Sequence, residues 1–390
     1  MRSIASTSLL ARAPRAWLRA CAVLMAVLAA TASTAWAQDA QALDKLAAAE
    51  LQALAEKEGK VVVYSFTSRI ARIEKAFEAR YPKIDLVAFD VNSTQQIARL
   101  KAESNARISN ADVAYISDMP VVYEELVKPG ILSRYVPAEF AARVPQALQQ
   151  PLLANRLSTK VLMYNEQAYA DGAPVRNLWE LTQPKWRGRV VSVDPTVRGD
   201  YLDLFTEIVL RHDEMAKAYE QVFGQPIRLR QGESAGEKWL KDWLANQPVF
   251  VANTDAVADA IGKLGQKNPP VGFATYSDRR DNQERSRALQ VAADVQPAAG
   301  ILFPASLGLV KGGKNPAAAR LLVQFMMGDD SPHGGPGFAP FYVAGDYAAR
   351  TDIAPHPDAR PLAQLNAWRI DPAKTVTARK KVADLILAHQ

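Results

Sequence analysis

EGKVVVYSFTSRIARIEKAFEARYPKIDLVAF, Glu58 to Phe89, holds two short apolar runs separated by a segment of helical period. Val61-Val62-Val63-Tyr64 is a continuous apolar run, the pattern of a parallel strand buried on both faces. Ser65 to Arg69 is a polar loop, and Ile70, Ile73 and Phe77 mark one face of a helix ending near Tyr81-Pro82. Ile84 to Phe89 is a second strand. The stretch is therefore a β-α-β unit, which calls for a mostly parallel sheet covered by helices.

The pattern extends both ways. Upstream, Leu43, Leu46, Leu51 and Leu54 predict a helix over residues 38–58, stopped by Gly59. Downstream, Asn92-Ser93-Thr94 opens a helix, with Ser93 and Gln96 spaced as a capping box. Ala111 to Ile116 reads as a third strand, and a helix over Val121 to Val127 stops at Pro129-Gly130. A second α/β block begins at Thr159, with strands at Lys160–Tyr164, Arg189–Val193, Pro248–Ala252 and Ile301–Val310. Its helices run from about Asp200 to Leu210, from Ala256 to Leu264 and from Pro316 to Met327. Residues 277–287, SDRRDNQERSR, read as a solvated charged loop, and HGGPG, His333 to Gly337, as a flexible turn. Trp239 and Trp243, four apart, share a helical face and read as core.

The first residues indicate export. Arg2, Arg12, Arg15 and Arg19 precede an apolar run from Ala20 to Ala30, and Ala35-Trp36-Ala37 supplies a cleavage pattern before Gln38. That order of charge, apolar core and small residues is a secretory signal peptide over residues 1–37. Cys21 lies at the very start of the apolar run rather than after it, the wrong side for lipid attachment, and a chain cut after Ala37 has no cysteine. Disulfides and thiolate metal sites are then excluded. The cut also removes four arginines, leaving 43 basic against 41 acidic residues, so charge offers no case for nucleic acid. The remaining 353 or so residues suggest two domains.

Several further strings recur in the order of a known family. EGKVVVYS and KAFEARYPKI resemble the opening β-α-β of type II periplasmic binding proteins, in the ferric-iron-binding-like branch of the extracellular solute-binding family. ARLKAES with NADVAYI (98–116), TKVLMYN (159–165), LTQPKWRGRVV (181–191) and SLGLVKGGKNPAAARLLVQFM (306–326) continue the resemblance. It implies an α/β fold of two lobes joined by hinge segments, with a ligand cleft between them. The expected division is 38–158 for the first part of lobe 1, 159–295 for lobe 2 and 296–390 for the return. The crossings are expected near Thr159–Tyr164 and Val291–Ile301. It further implies a monomer in the periplasm, working by hinge closure with an inner-membrane ABC permease and its ATPase, without a cofactor.

The iron-binding members carry adjacent tyrosines where this chain reads Asn253-Thr254-Asp255-Ala256, and a histidine in the loop that here is Ser65 to Arg69. Asp118 still offers an oxygen after the third strand. The usual iron site is therefore missing. The expected ligand is a small anion such as a phosphonate, phosphate ester or carboxylate, with ferric iron carried beside a synergistic anion as the alternative.

The candidate contacts lie on loops at strand ends: Ser65, Thr67, Ser68 and Arg69; Asn92 and Ser93; Asp118; Arg198, Gly199, Asp200 and Tyr201; Asn253, Thr254 and Asp255. Hydroxyls and N–H groups at helix starts attract negative charge, and arginine can clamp phosphate or carboxylate with two hydrogen bonds. Each also has a plain reading: Ser68, Asp200 and Asn253 as helix caps, Arg69 as solvated, Tyr201 as packing. His212, His333, His356 and His389 show no metal or catalytic spacing, and no G-x-S-x-G or P-loop occurs, so no enzyme is expected. A periplasmic sensor subunit would share the same framework.

Overall fold

The computed structural model describes residues 42–390. The leader, Cys21 and the expected cleavage after Ala37 lie outside the described residues. The sheet and its helices belong to one compact unit, Ala47–Gln390.

The apolar runs become strands flanked by helices. Helix α1 (Ala48–Glu58) starts at Ala48, where Glu50 accepts the Ala47 N–H; residues 44–47 interrupt the longer helix expected, whose first residues, 38–41, lie outside the described ones. It ends as expected: Gly59, at φ 69°, returns its N–H to the Ala55 carbonyl, a left-handed cap that favours glycine. Strand β1 (Lys60–Ser65), helix α2 (Ile70–Arg80) and strand β2 (Asp85–Asp90) complete the β-α-β unit, with β1 and β2 parallel. Helix α3 (Ser93–Asn105) follows, and β3 (Val113–Ile116) pairs parallel with β1. The capping box at its start is replaced by a different arrangement. Asn92 is the N-cap, accepting the Gln95 N–H, while Gln96 donates to the carbonyls of Val91 and Tyr115. Either Asn92 or Ser93 has the chemistry to cap; Ser93 is instead drawn to Ser117, their hydroxyls 2.9 Å apart.

A short helix α4 (Met119–Val122) runs into a π-turn over Tyr123–Val127, and β4 (Leu132–Ser133) follows. Strand β5 is long (Leu153–Asn165), much longer than its apolar stretch, because Asn155, Arg156, Thr159 and Lys160 are buried within it. Then come β6 (Val190–Val193), α5 (Gly199–Leu210), α6 (His212–Phe223) and α7 (Ala235–Ala245). Trp239 and Trp243 of α7 stack at 5.7 Å, with Phe205 of α5 4.7 Å from Trp243. They are core, as expected. Strand β7 (Val249–Val251), helix α8 (Thr254–Gly262) and strand β8 (Val271–Ala274) close this block.

The charged stretch after β8 is solvated only in part, over residues 283–286. Ser277, Asp278 and Arg287 are buried, with Asp278 bonded to Arg280 and Arg287 to Asp259. Strand β9 (Leu289–Val291) leads to β10 (Gly300–Val310) and α9 (Pro316–Met327). The HGGPG segment, expected to be a flexible turn, forms two helical turns that bury Gly334, Gly337 and Phe338. Strands β11 (Tyr347–Ala348) and β12 (Ala367–Arg369) and the terminal helix α10 (Pro372–Leu387) complete the chain.

One mixed sheet runs β2-β1-β3-β10-β5-β8-β6-β7. Its middle pair, β10 and β5, is antiparallel and joins the β1–β3 end to the β6–β8 end. Gly300 makes their close approach possible, since a Cβ there would lie 2.0 Å from the Lys160 carbonyl oxygen. One hydrophobic cluster gathers side chains from Tyr64 to Leu152, and another those from Leu157 to Phe303 with part of the C-terminus.

The registers aim the two parallel sets at each other. Ile116 of β3 lies opposite Ser306, itself opposite Ala154 of β5, and Ala274 of β8 lies opposite Val161. The β3 chain leaves the sheet heading toward Val161, and the β8 chain leaves heading toward Ala154. About six residues of β5, roughly 20 Å of strand, separate the two exits. Loops at the carboxyl ends of parallel strands are where open α/β sheets bind ligands. Here both sets of such loops face one another over the β5 floor.

Candidate functional site

A groove of about 540 Å³ lies between the two sets of loops, lined by α3 from one side and by Thr196, Arg198, Gly199 and Leu202 from the other. Asp118 and Arg379 complete its wall. Three of the residues singled out from the sequence, Asp118, Arg198 and Gly199, therefore border one space.

The β6–α5 loop organises the charge. Arg198 donates Nε and Nη2 to the two carboxylate oxygens of Asp200, both at 3.1 Å, leaving Nη1 without a partner among the described residues. Asp200 is shared with Lys160, whose Nζ lies 3.0 Å away and also meets Thr275 Oγ1 at 3.2 Å. Burial works against an ionised Asp200, yet Lys160 and Arg198 together hold its carboxyl below the usual range. Burial pulls the Lys160 ammonium down, with Asp200 opposing. Tyr201 sits under this ammonium, 4.2 Å from ring centre to Nζ, and donates its hydroxyl to the Phe273 carbonyl. Burial pushes that phenol up. Asp200 is thus a buried ionic hub rather than a simple cap.

From the other side, Asp90 at the exposed end of β2 has its carboxyl raised by partial desolvation, and it feels both Arg198 and Asp255. Asp118 follows β3 in the left-handed region, at φ 73° and ψ 41°. Its carboxylate meets Arg379 Nη1 at 2.6 Å.

The remaining candidates fall elsewhere. Ser65 and Thr67 bond within their own turn, the Ser65 hydroxyl donating to the Thr67 carbonyl at 3.0 Å, and Ser68 is exposed. Arg69 is not solvated. It is buried, 2.6 Å from Asp346 and bonded to the Pro340 carbonyl, and it shares that carboxylate with Arg156. Asn92 caps α3, and Ser93 bonds to Ser117 beneath the loop. Asn253 caps α8 by accepting the Ala256 N–H, and Asp255 is exposed beside Arg285. Thr254 is within reach of the Tyr201 hydroxyl.

Sequence reasoning passed over Lys160, Asp203, Asp278 and Arg379. Lys160 stood inside a recognised strand, and a lysine in a buried apolar run is a signal that could have been followed. Arg379 had none: it lies in a lysine- and arginine-rich helical stretch like many solvated ones. The histidines have local roles, His212 accepting the Ala235 N–H and His333 stacking on Tyr342.

A sheet whose two parallel sets face each other over a long antiparallel pair, with the groove between them, is the architecture of type II periplasmic binding proteins. Iron-bound HitA from Pseudomonas aeruginosa shares it at TM-score 0.65 and 18% identity, over 84% of this chain and 99% of that one. AfuA from Actinobacillus pleuropneumoniae, with fructose-6-phosphate bound, matches at TM-score 0.63 and 17% identity, over 84% and 97%. The periplasmic binding protein P5PA matches at TM-score 0.64 and 13% identity, over 85% and 99%. At these identities the likeness is one of fold. No curated protein sequence matches the chain. Residues 61–331 match the profile of the bacterial extracellular solute-binding proteins, and the chain belongs to that family.

Proposed function

We propose that the chain is the periplasmic binding component of an ABC-type importer and takes a small anionic solute between two lobes. The observation that carries this reading is Arg198, which borders the groove with Nη1 unpaired while Asp200 fixes the rest of its guanidinium. An anchored arginine with a free donor presents a hydrogen bond at little cost in side-chain entropy. The lobes correspond to the β1–β3 and β6–β8 ends of the sheet, hinged on β5 near residue 158 and on the segment entering β10 near residue 296. Two hydrophobic clusters that part near Leu152 and Leu157 support the division. Hinge closure on a solute is then a rotation about two strands.

Fructose-6-phosphate in AfuA and iron in HitA mark out two ligand chemistries carried by this fold. The donor set here favours the anion. Ferric iron wants phenolate, carboxylate and imidazole, whereas Asn253 is spent as a cap and Tyr201 is buried against the Phe273 carbonyl.

The test is thermal shift followed by calorimetry of the purified protein with phosphate esters, phosphonates, carboxylates and ferric citrate. A ligand at a hundred times its Kd stabilises by about 2.7 kcal/mol. Binding to one anionic class is expected, and Arg198→Ala should weaken it tenfold or more, since a hydrogen bond to a charged group is worth about 1.5–3 kcal/mol. A response to ferric citrate alone would overturn the anion reading.

A further inference from the structure

The terminal helix α10 packs along α5 and reaches α4, so it touches both sides of the groove. Arg379 on this helix is about nine-tenths buried. Its Nη1 donates to Asp118 Oδ1 at 2.6 Å, and its Nη2 to Asp118 Oδ2 at 3.4 Å and to the Gly199 carbonyl at 3.2 Å. Its Nε lies 3.3 Å from Asp203 Oδ1. Asp118 comes from the β1–β3 end, whereas Gly199 and Asp203 belong to α5 at the β6–β8 end. One guanidinium therefore joins the two ends directly across the groove.

Three features separate this contact from an ordinary structural ion pair. Asp118 holds a left-handed backbone conformation that costs a non-glycine residue energy. Two buried carboxyls face one guanidinium, and Asp203 Oδ1 has no hydrogen-bond partner. Gly199 is also required, because a Cβ there would fall 1.8 Å from Asp118 Oδ2. Strain, an incompletely bonded carboxyl and a bare Cα at one meeting point describe a contact that closes without being locked.

We propose that Arg379 and Asp118 form a latch that draws the two ends of the sheet together in the absence of solute, and that entry of a solute requires its release. This rests on the reading that the two ends act as lobes. Asp118 is then the internal carboxylate that closes the groove, and α10 is the strap that carries its partner.

Spin labels on Ser104→Cys in α3 and Lys217→Cys in α6, both exposed positions, in a Cys21→Ser background, would report the separation of the ends without ligand. Asp118→Asn keeps the shape of the side chain and removes its charge. It should add a longer-distance population that the parent lacks. Because removing a buried counter-charge can also impair folding, Arg379→Met with Asp203→Asn provides a second release that leaves fewer unpaired buried charges, and it should show the same population. Unchanged distances in folded samples of both variants overturn the latch. Inorganic phosphate and citrate titrated into the parent separate the two readings. Release in the variants with no response to any anion supports the latch and removes the anionic solute; an anion response with unchanged distances in the variants removes the latch alone.

Discussion

Two buried charge clusters occupy this molecule with opposite stoichiometry. Around Asp346, two guanidiniums share one carboxylate: Arg69 at 2.6 Å and Arg156 at 2.7 Å. Around Arg379, two carboxyls share one guanidinium. The first cluster is tied into a longer chain of hydrogen bonds. Arg156 Nε donates to the Tyr115 hydroxyl, which donates to Asn155, which donates to the Met326 carbonyl. Both guanidiniums lie 5.0 Å from the centre of the Phe341 ring. Burial opposes an ionised Asp346, but Arg156 and Arg69 hold its carboxyl below the ordinary value. In the second cluster burial prevails, raising Asp118 and pushing Asp203 well up. A carboxylate gripped by two guanidiniums makes a scaffold, whereas a surplus of buried acid facing a groove makes a contact that a change in conformation can relieve.

The largest way to break that contrast is at the scaffold. Asp346→Ala leaves two guanidiniums buried without their counter-charge and should cost about 3–5 kcal/mol in a denaturant titration. It should do so whatever ligand is present. Asp118→Asn should cost much less, because neutralising Asp118 removes its repulsion and lets Asp203 ionise and take its place opposite Arg379. Equal losses at the two positions would erase the distinction.

Acid unfolding should expose the same contrast through its sign. The folded pKa of Asp346 lies below its unfolded value, so its contribution is present above about pH 4 and lost as pH falls further. A folded Asp203 holds its proton above the unfolded value, so its effect is opposite, eroding stability as pH rises from about 4. Unfolding midpoints of Asp346→Asn and the parent should therefore converge on acidification. Curves that stay parallel below pH 4 would show that Asp346 is not tied to the arginines in solution.

How much of this could be read from the sequence follows from the same physics. The β-α-β unit at Lys60–Asp90 was legible because strands buried on both faces are written as uninterrupted apolar runs. Strand β5 was legible only at its apolar end, since Asn155, Arg156 and Thr159 are buried polar groups whose partners lie far along the chain. The stretch 277–287 looked solvated for the same reason: charge is visible in a sequence and pairing is not. Of the candidate contacts, Arg198 and Gly199 border the groove because a glycine after a strand marks a close approach. Arg69 was misplaced because its partner, Asp346, is 277 residues away. Arg379 lies 261 residues from Asp118, and nothing local announces either.

The smallest expected effect sharpens the comparison most. Since burial and the neighbouring Asp118 hold the Asp203 carboxyl well above the ordinary carboxylate range, asparagine is close to an isostere of its protonated form. Asp203→Asn should then change stability by no more than about 1 kcal/mol, the scale of one net hydrogen bond. It should also flatten the fall in stability with rising pH, because the variant has no proton to lose. Unfolding midpoints of parent and variant measured from pH 4 to pH 8 decide the matter. A gap that shifts in favour of the variant as pH rises places the titrating proton on Asp203. A constant gap would assign it elsewhere, and a loss comparable to that of Asp346→Ala would make the Arg379 cluster a second scaffold, rigid rather than releasable.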